Sequence, residues 1–243
     1  MQNKFLIIVG FYNAAPFIEK CVGSILSQDY KNYRVIFIDD ASTDGTLDLV
    51  PDYDNFFKIK NKVTVTGLVN LHNCIINYAE DDEIVVFLDG DDSFYGNKVL
   101  SFLNDYYNNN DCLITYGQAI WTDGRKGFAC KYTKEQFNNL RNEPLRVSHL
   151  RTFRALIYKE IEKQDPNFSC MRDENGDFFR FAWDVAMMFP LLEIVGYDKT
   201  HYIDKVLYVY NIHNPISEHA INQASQTKAH MDVNKKPKFK QVF

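Results

Sequence analysis

Two groups of carboxylates in this chain are spaced for chemistry. Asp89-Gly90-Asp91-Asp92 follows the apolar run 84–88 directly, and Asp39-Asp40 ends the apolar run 35–38. Carboxylates held this close repel one another, so keeping them ionised together calls for a compensating cation. A hard divalent ion, ligated by one or two carboxylates and completed by substrate phosphates, meets that need. Gly90 lets the turn backbone come close to a ligand. The plain alternative is an acidic surface turn that caps a helix beginning near Asn97. Asp39-Asp40 opens into Ala41-Ser42-Thr43-Asp44-Gly45-Thr46, residue types that build strand-to-helix turns and caps. A turn accounts for Asp44-Gly45-Thr46 but not for an acidic pair closing an apolar strand. A carboxylate there, partly buried beside a cleft, can accept a hydrogen bond from an imide N–H or a ribose hydroxyl.

The elements that must position these groups follow from the apolar pattern. Short runs rich in β-branched and aromatic residues, at 5–9, 35–38, 63–66, 84–88 and 113–116, read as strands. Helical patterns at 16–27, 47–53, 71–79 and 98–107 lie between them. Such alternation, with nearly continuous apolar strands, indicates an α/β domain: a mostly parallel central sheet with helices on both faces. Ligands of such sheets bind outside the carboxyl ends of the strands, which is where both acidic groups fall. In the second half, 147–162 and 181–195 read as helices, 119–140 as polar and irregular, and 202–210 as one or two strands. After about residue 217 the chain turns polar and closes on Lys235-Lys236-Pro237-Lys238-Phe239-Lys240, so 218–243 is expected to be a mobile basic tail.

Composition narrows the partners. The 243 residues suit one domain, and 46% hydrophobic with 15% aromatic content supports a sizeable core. A formal net charge of −5 offers no basic surface for nucleic acid. Cys21, Cys74, Cys112, Cys130 and Cys170 are scattered and show no CxxC spacing, which suits a reducing compartment better than a disulfide framework. No run approaches the roughly 20 apolar residues of a transmembrane helix, and the opening MQNKFLIIVGFYN lacks a signal peptide's long apolar region. The expectation is a soluble cytoplasmic protein, held at a membrane surface only by a partner or by its tail.

The same stretches resemble the nucleotide-binding half of the family 2 glycosyltransferases, which have the GT-A fold. That family's x-x-Tyr-Asn turn after the first strand is matched by Gly10-Phe11-Tyr12-Asn13. Its acidic pair and Ser-Thr-Asp-Gly-Thr turn are matched from Ile38 to Thr46. A helix Asn before the fourth strand is matched by Leu71-His72-Asn73, and the closing Leu-Asp-x-Asp-Asp by Leu88 to Asp92. The likeness covers about residues 4–117 and rests on four motifs in order, not on the Asp-x-Asp alone. It implies a nucleotide-binding half at 1–117 and an acceptor half at 118–217. It places Phe11 and Asp40 beside the base, Asp39 and Asn73 near the base or ribose, Asp89 at the ribose and diphosphate, and Asp91 with Asp89 on Mn2+ or Mg2+. Departures occur at Gly10 or Phe11, where many members have Pro, at Ala41, where Gly is usual, and at His72, where Arg is frequent.

Beyond residue 117 the match thins. Ala182-Trp183-Asp184 resembles the family's Glu-Asp pair, with Trp183 replacing Glu, and Asp184 falls on the general base of inverting members; a helix cap is its other reading. Within Ser148-His149-Leu150-Arg151-Thr152-Phe153-Arg154, His149 and Arg151 are candidates to meet phosphate or acceptor, or simply form a solvated helix start. His213 is the candidate for a further metal ligand, as some GT-A enzymes use a C-terminal His. The resemblance thus implies a metal-dependent, inverting glycosyltransferase. It would take a nucleotide-sugar donor, with uridine diphosphate as carrier, and a hydroxyl acceptor on a glycan or glycoconjugate. The rival from another class is a non-catalytic sugar-nucleotide or glycan-binding module of the same fold, for which Trp183 leaves room. A nucleotidyltransferase would need a glycine-rich basic loop after the first strand, and Val9-Gly10-Phe11-Tyr12-Asn13 supplies neither feature.

Overall fold

Residues 2–216 and 223–243 are described by the computed structural model, so the domain boundary expected between 217 and 218 lies outside the described residues. At the centre β1 (Lys4–Phe11) runs between β2 (Tyr33–Asp39) and β4 (Glu83–Asp89), parallel to both. The outer neighbour of β2, β3 (Phe56–Lys60), is parallel too. On the other side of β4 the sheet changes character. The three-residue β7 (Thr152–Arg154) is antiparallel to β4 and to β6 (Ile114–Trp121). Then β8 (Thr200–Tyr210) runs parallel to β6, and β5 (Ser93–Phe94) closes antiparallel on β8. The order is β3-β2-β1-β4-β7-β6-β8-β5, a mostly parallel eight-stranded sheet.

Strand alternation divides the core into two layers. On β1, Phe5, Ile7, Val9 and Phe11 pack with α1 (Ile18–Leu26) and α3 (Val99–Asn109), while Leu6 and Ile8 face the opposite layer. That layer holds α2 (Gly67–Tyr78), α5 (Tyr158–Gln164) and α6 (Trp183–Val195), with the short α4 (Lys134–Asn138) against it through Phe137. Almost every residue of α6 from Val185 to Val195 is buried, and each such large apolar side chain contributes about 1.5–3 kcal/mol. This helix is therefore a rigid mount for whatever its first turn carries.

Three segments depart from the sequence reading. Residues 63–66 are not a strand: the carboxylate of Asp40 accepts the N–H groups of Val65 and Thr66, at 2.9 and 3.2 Å, which withdraws them from any ladder. Residues 47–53 keep only a 3-10 turn at Thr46–Leu49. Residues 147–162 split into β7, a 3-10 turn and α5, because Thr152 and Phe153 fill the gap between β4 and β6. Tertiary pairing there overrides a helical apolar pattern, and His149 and Arg151 end up on the loop leading into β7.

The segment expected as a mobile tail carries a helix and apolar anchors where it is described. Gln223–Asn234 forms a helix, α7. Val233 is buried, and Phe239 and Phe243 pack against the α6 layer. The buried Arg141 guanidinium forms a two-point pair with Glu193 of α6, at 2.6 and 2.8 Å, and also donates to the carbonyls of Val233 and Pro237. A polar composition concealed these few anchors.

Candidate active site

The carboxyl ends of β1, β2 and β4 meet in register, Gly10 beside Asp89 and Phe11 beside Asp39. Gly10 faces open space, whereas the Gly90 N–H donates to the Gly10 carbonyl at 2.9 Å. A Cβ on Gly90 would lie 2.6 Å from that of Phe11, so glycine is what lets the acidic turn fold over β1. The acidic turn is thereby fixed at the strand ends.

One hydroxyl organises that turn. Tyr208 on β8 donates to Asp92 Oδ2 at 2.6 Å and accepts the Asp89 N–H at 3.2 Å. The Asn211 N–H donates to Asp92 Oδ1 at 2.6 Å, and the Asn214 amide donates to Asp91 Oδ2 at 2.7 Å. The His149 ring stacks on Tyr208, with centroids 4.6 Å apart, and its Nε2 lies 3.7 Å from Asp89 Oδ2. Burial and then the charge of Asp89 push the Asp91 carboxyl up to about 6, and the same causes raise Asp92 well above the usual carboxylate range. Burial, then Arg151, lowers the His149 imidazole. The cluster is thus short of positive charge as it stands.

Donor atoms of Asp89, Asp92 and His149 lie within 4.8 Å of one another. Two carboxylates and an imidazole are a donor set that Mn2+ or Mg2+ accepts more readily than a soft metal would. The sequence reading had Asp91, Asp89 and His213 here. Asp89 belongs to the grouping, Asp91 sits beside it on Asn214, and His213 is exposed on the following turn, its N–H on Asn211. Asp92, His149, Tyr208 and the two Asn residues were missed as a set, since they come from three distant segments. His213 is a sequence candidate, whereas its neighbours Asn211 and Asn214 are not.

A second carboxylate faces the same cleft. Asp184, in the first turn of α6, accepts from Arg151 Nη2 at 2.7 Å. Arg151 Nη1 is 3.2 Å from His149 Nε2, so Asp184, Arg151, His149 and Asp89 form one continuous polar chain. Ala182, not Asp184, is the N-cap residue, at φ 52°, and among the described residues Asp184 Oδ1 accepts only the adjacent Val185 N–H. The cap reading of Asp184 therefore lacks its geometry.

The remaining candidates are placed differently. Phe11 is buried in the layer of α1 and α3, in the cluster that also holds Tyr208 and beneath Gly90 of the acidic turn. Asp39 is fully buried; its Oδ1 accepts the Ser42 N–H at 2.7 Å, and its Oδ2 has Lys60 3.8 Å away and no hydrogen bond. Asn73 is exposed on α2, and the α2 residue tied to the acidic pair is instead Asn70, through Asn61. Asp40 accepts from Asn61, Val65 and Thr66, which leaves one of a carboxylate's roughly four acceptor positions free. Holding Thr66 at φ 91° and the 61–66 loop in place is its visible role. Asp40→Ala should consequently lower stability by about 1–3 kcal/mol, the cost of buried donors left unpaired. Urea unfolding measures it, and an unchanged midpoint would mean that these bonds contribute nothing.

A profile described as Glycosyl transferase family 2 matches residues 6–162. A poly(ribitol-phosphate) beta-glucosyltransferase of Bacillus spizizenii is 30% identical over 130 residues, 50% of this chain and 20% of that protein. The Escherichia coli UDP-Glc:alpha-D-GlcNAc-diphosphoundecaprenol beta-1,3-glucosyltransferase WfaP is 32% identical over 123 residues, 45% of this chain and 48% of that protein. Bacillus subtilis EpsE is 37% identical over 94 residues, 33% of its length. The chain thus spans less than half of each of these relatives. Among solved structures, Staphylococcus aureus TarS 1-349 in complex with UDP superposes with a TM-score of 0.65 at 18% identity, covering 87% of this chain and 61% of that one. The mannosyltransferase PcManGT from Pyrobaculum calidifontis, in complex with GDP-Man and Mn2+, gives 0.58 at 19%, covering 86% and 57%. At these identities the likeness gives the fold, the GT-A arrangement.

Proposed function

The chain belongs to glycosyl transferase family 2, and from that premise we propose that it moves a sugar from a nucleotide diphosphate sugar, with uridine diphosphate as carrier, to a hydroxyl of a glycan or glycoconjugate. The observation that carries this reading is the polar chain from Asp89 through His149 and Arg151 to Asp184, which ties a cation-seeking cluster to a further carboxylate. Asp89, Asp92 and His149 would hold Mn2+ or Mg2+, with Asp91 beside them; when bound, the cation supplies charge neutralisation for the departing diphosphate. The rest falls to the chain. Gly10 leaves room for the nucleotide over the end of β1. Arg151 orients Asp184 through its 2.7 Å hydrogen bond. Asp184 takes the acceptor hydroxyl's proton at a carboxylate oxygen as that hydroxyl attacks the anomeric carbon from the side opposite the diphosphate, so the configuration inverts. UDP is bound in the TarS structure, and two of the relatives act on acceptors that carry phosphate; both support the reading. Among the described residues no helix is long and apolar enough to cross a membrane, and a cytoplasmic site of action is part of the proposal.

Thermal denaturation with a panel of UDP- and GDP-sugars tests the donor assignment. A matching donor at about a hundred times its dissociation constant should add about 2.7 kcal/mol, and only when Mn2+ or Mg2+ is present. Absence of any shift across the panel would remove the donor from the proposal.

A further inference from the structure

A second concavity lies outside the acidic cleft, about 600 Å3 between the 173–181 loop and α7 with the chain that follows it. Four cations and three carboxylates line it, but their commitments differ. Asp232 is paired with Lys235 at 2.8 Å, and Asp173 accepts the N–H groups of Asn175 and Asp177 within its own turn. Arg180, Lys228 and Lys236 have no carboxylate partner in the ion pairs of the described residues; Lys236 lies over the Phe179 ring and Arg180 over Phe181. With Glu174 counted, the groove sets four cations against three carboxylates, an excess of one positive charge, beside an apolar ring face. Its place is as informative as its charge. Phe181 lines the groove, and three residues on the same chain delivers Asp184. The His230 ring of α7 packs against Phe189, six residues beyond the start of α6. A chain-like ligand lying in the groove would thus pass the mouth of the cleft.

We propose that this groove is the acceptor subsite and that it holds a phosphate group of the acceptor, placing the neighbouring sugar or polyol hydroxyl at Asp184. This rests on the transferase reading above and adds the acceptor's chemical class. Lys228 and Lys236 act by charge and Phe181 by apolar contact; none of them touches the donor. Two sources supply such a phosphate, a polyol-phosphate polymer and a lipid diphosphate, and they share the recognised group.

Binding is measured by fluorescence anisotropy on the full chain in chelator, where a diphosphate gains nothing from the acidic cluster. The probes are a labelled ribitol-phosphate oligomer, a short-chain prenyl diphosphate sugar, and a neutral oligosaccharide of equal length. One or both phosphate probes should bind at least about tenfold tighter than the neutral one, and which of the two does names the source. The double variant K228E/K236E should lose about tenfold or more of that affinity, with an unchanged melting temperature and unchanged metal-dependent hydrolysis of the sugar nucleotide. A conservative K228R/K236R control should retain binding. Equal affinity for neutral and phosphate probes, or a double variant that binds like wild type, overturns the subsite. Loss of sugar-nucleotide hydrolysis in the wild type would overturn the transferase reading instead, and leaves the binding result to stand or fall by itself.

Discussion

Asp184→Asn should lower sugar transfer by about 10²–10⁴-fold, the range removed with a positioned general base, while nucleotide affinity stays near wild type. The amide keeps the shape of the carboxylate and can still accept the Val185 N–H that Asp184 Oδ1 takes at 2.9 Å. It cannot accept a proton from an attacking hydroxyl. It also withdraws the negative charge facing Arg151, whose side chain is only 4% exposed against 25% for Asp184. Breaking a fully buried pair costs about 3–5 kcal/mol; the partial exposure of Asp184 and the nearby Asp89 carboxylate put this case below that range. The variant should therefore melt somewhat lower and yet bind donor. A helix-capping role would give a different pattern: Asp184→Ala would lose about 1 kcal/mol with turnover largely kept. Melting temperature, donor affinity by calorimetry and transfer rate on both variants separate the two. Near-normal transfer by Asp184→Asn would take this residue out of the mechanism and move the search for the base to Asp173, Asp177 or His149.

The half of the molecule that was legible in the sequence is the half built from local rules. The strands ending at Asp39 and Asp89 are apolar throughout and parallel, so their pattern and their acidic ends located the sheet edge and the cleft together. Ala41, where the resemblance led one to expect Gly, does sit at φ 68°. What escaped reading depends on contacts across long separations. Asp92 owes its place to Tyr208 and Asn211, more than a hundred residues away. Nothing in the local sequence of 147–162 announces that Thr152 and Phe153 are needed to bridge two strands, and that insertion is what brings His149 and Arg151 to the carboxylates. The tail was read from its polar composition, whereas Arg141, Val233 and Phe239 pin it with a few contacts.

Metal dependence is the second large effect expected. Chelation should reduce release of the nucleotide from the sugar nucleotide by at least about 10²–10³-fold, the loss that follows removal of one electrostatic stabiliser of a departing or developing anion. Asp89→Asn should do the same in saturating Mn2+. This variant is a clean one, because the hydrogen bonds of Asp89 within the protein use its backbone: the N–H on Tyr208 and the carbonyl that Cys21 reaches. Among the described residues its carboxylate has His149 Nε2, at 3.7 Å, as its one ion-pair partner. Removing that charge also relieves repulsion with Asp91 and Asp92, both already pushed toward protonation by burial and by Asp89 itself. The metal-free variant should thus melt no lower than metal-free wild type. A capping or purely structural role for the acidic turn predicts the opposite, a less stable variant with activity intact.

The most direct test of the account is therefore a single assay: UDP release from UDP-sugars by protein stripped with chelator and then titrated with Mn2+, for wild type and Asp89→Asn side by side. The account predicts turnover that appears only on metal addition in the wild type and stays absent in the variant. Undiminished turnover in chelator, or full Mn2+-dependent turnover by Asp89→Asn, would contradict it.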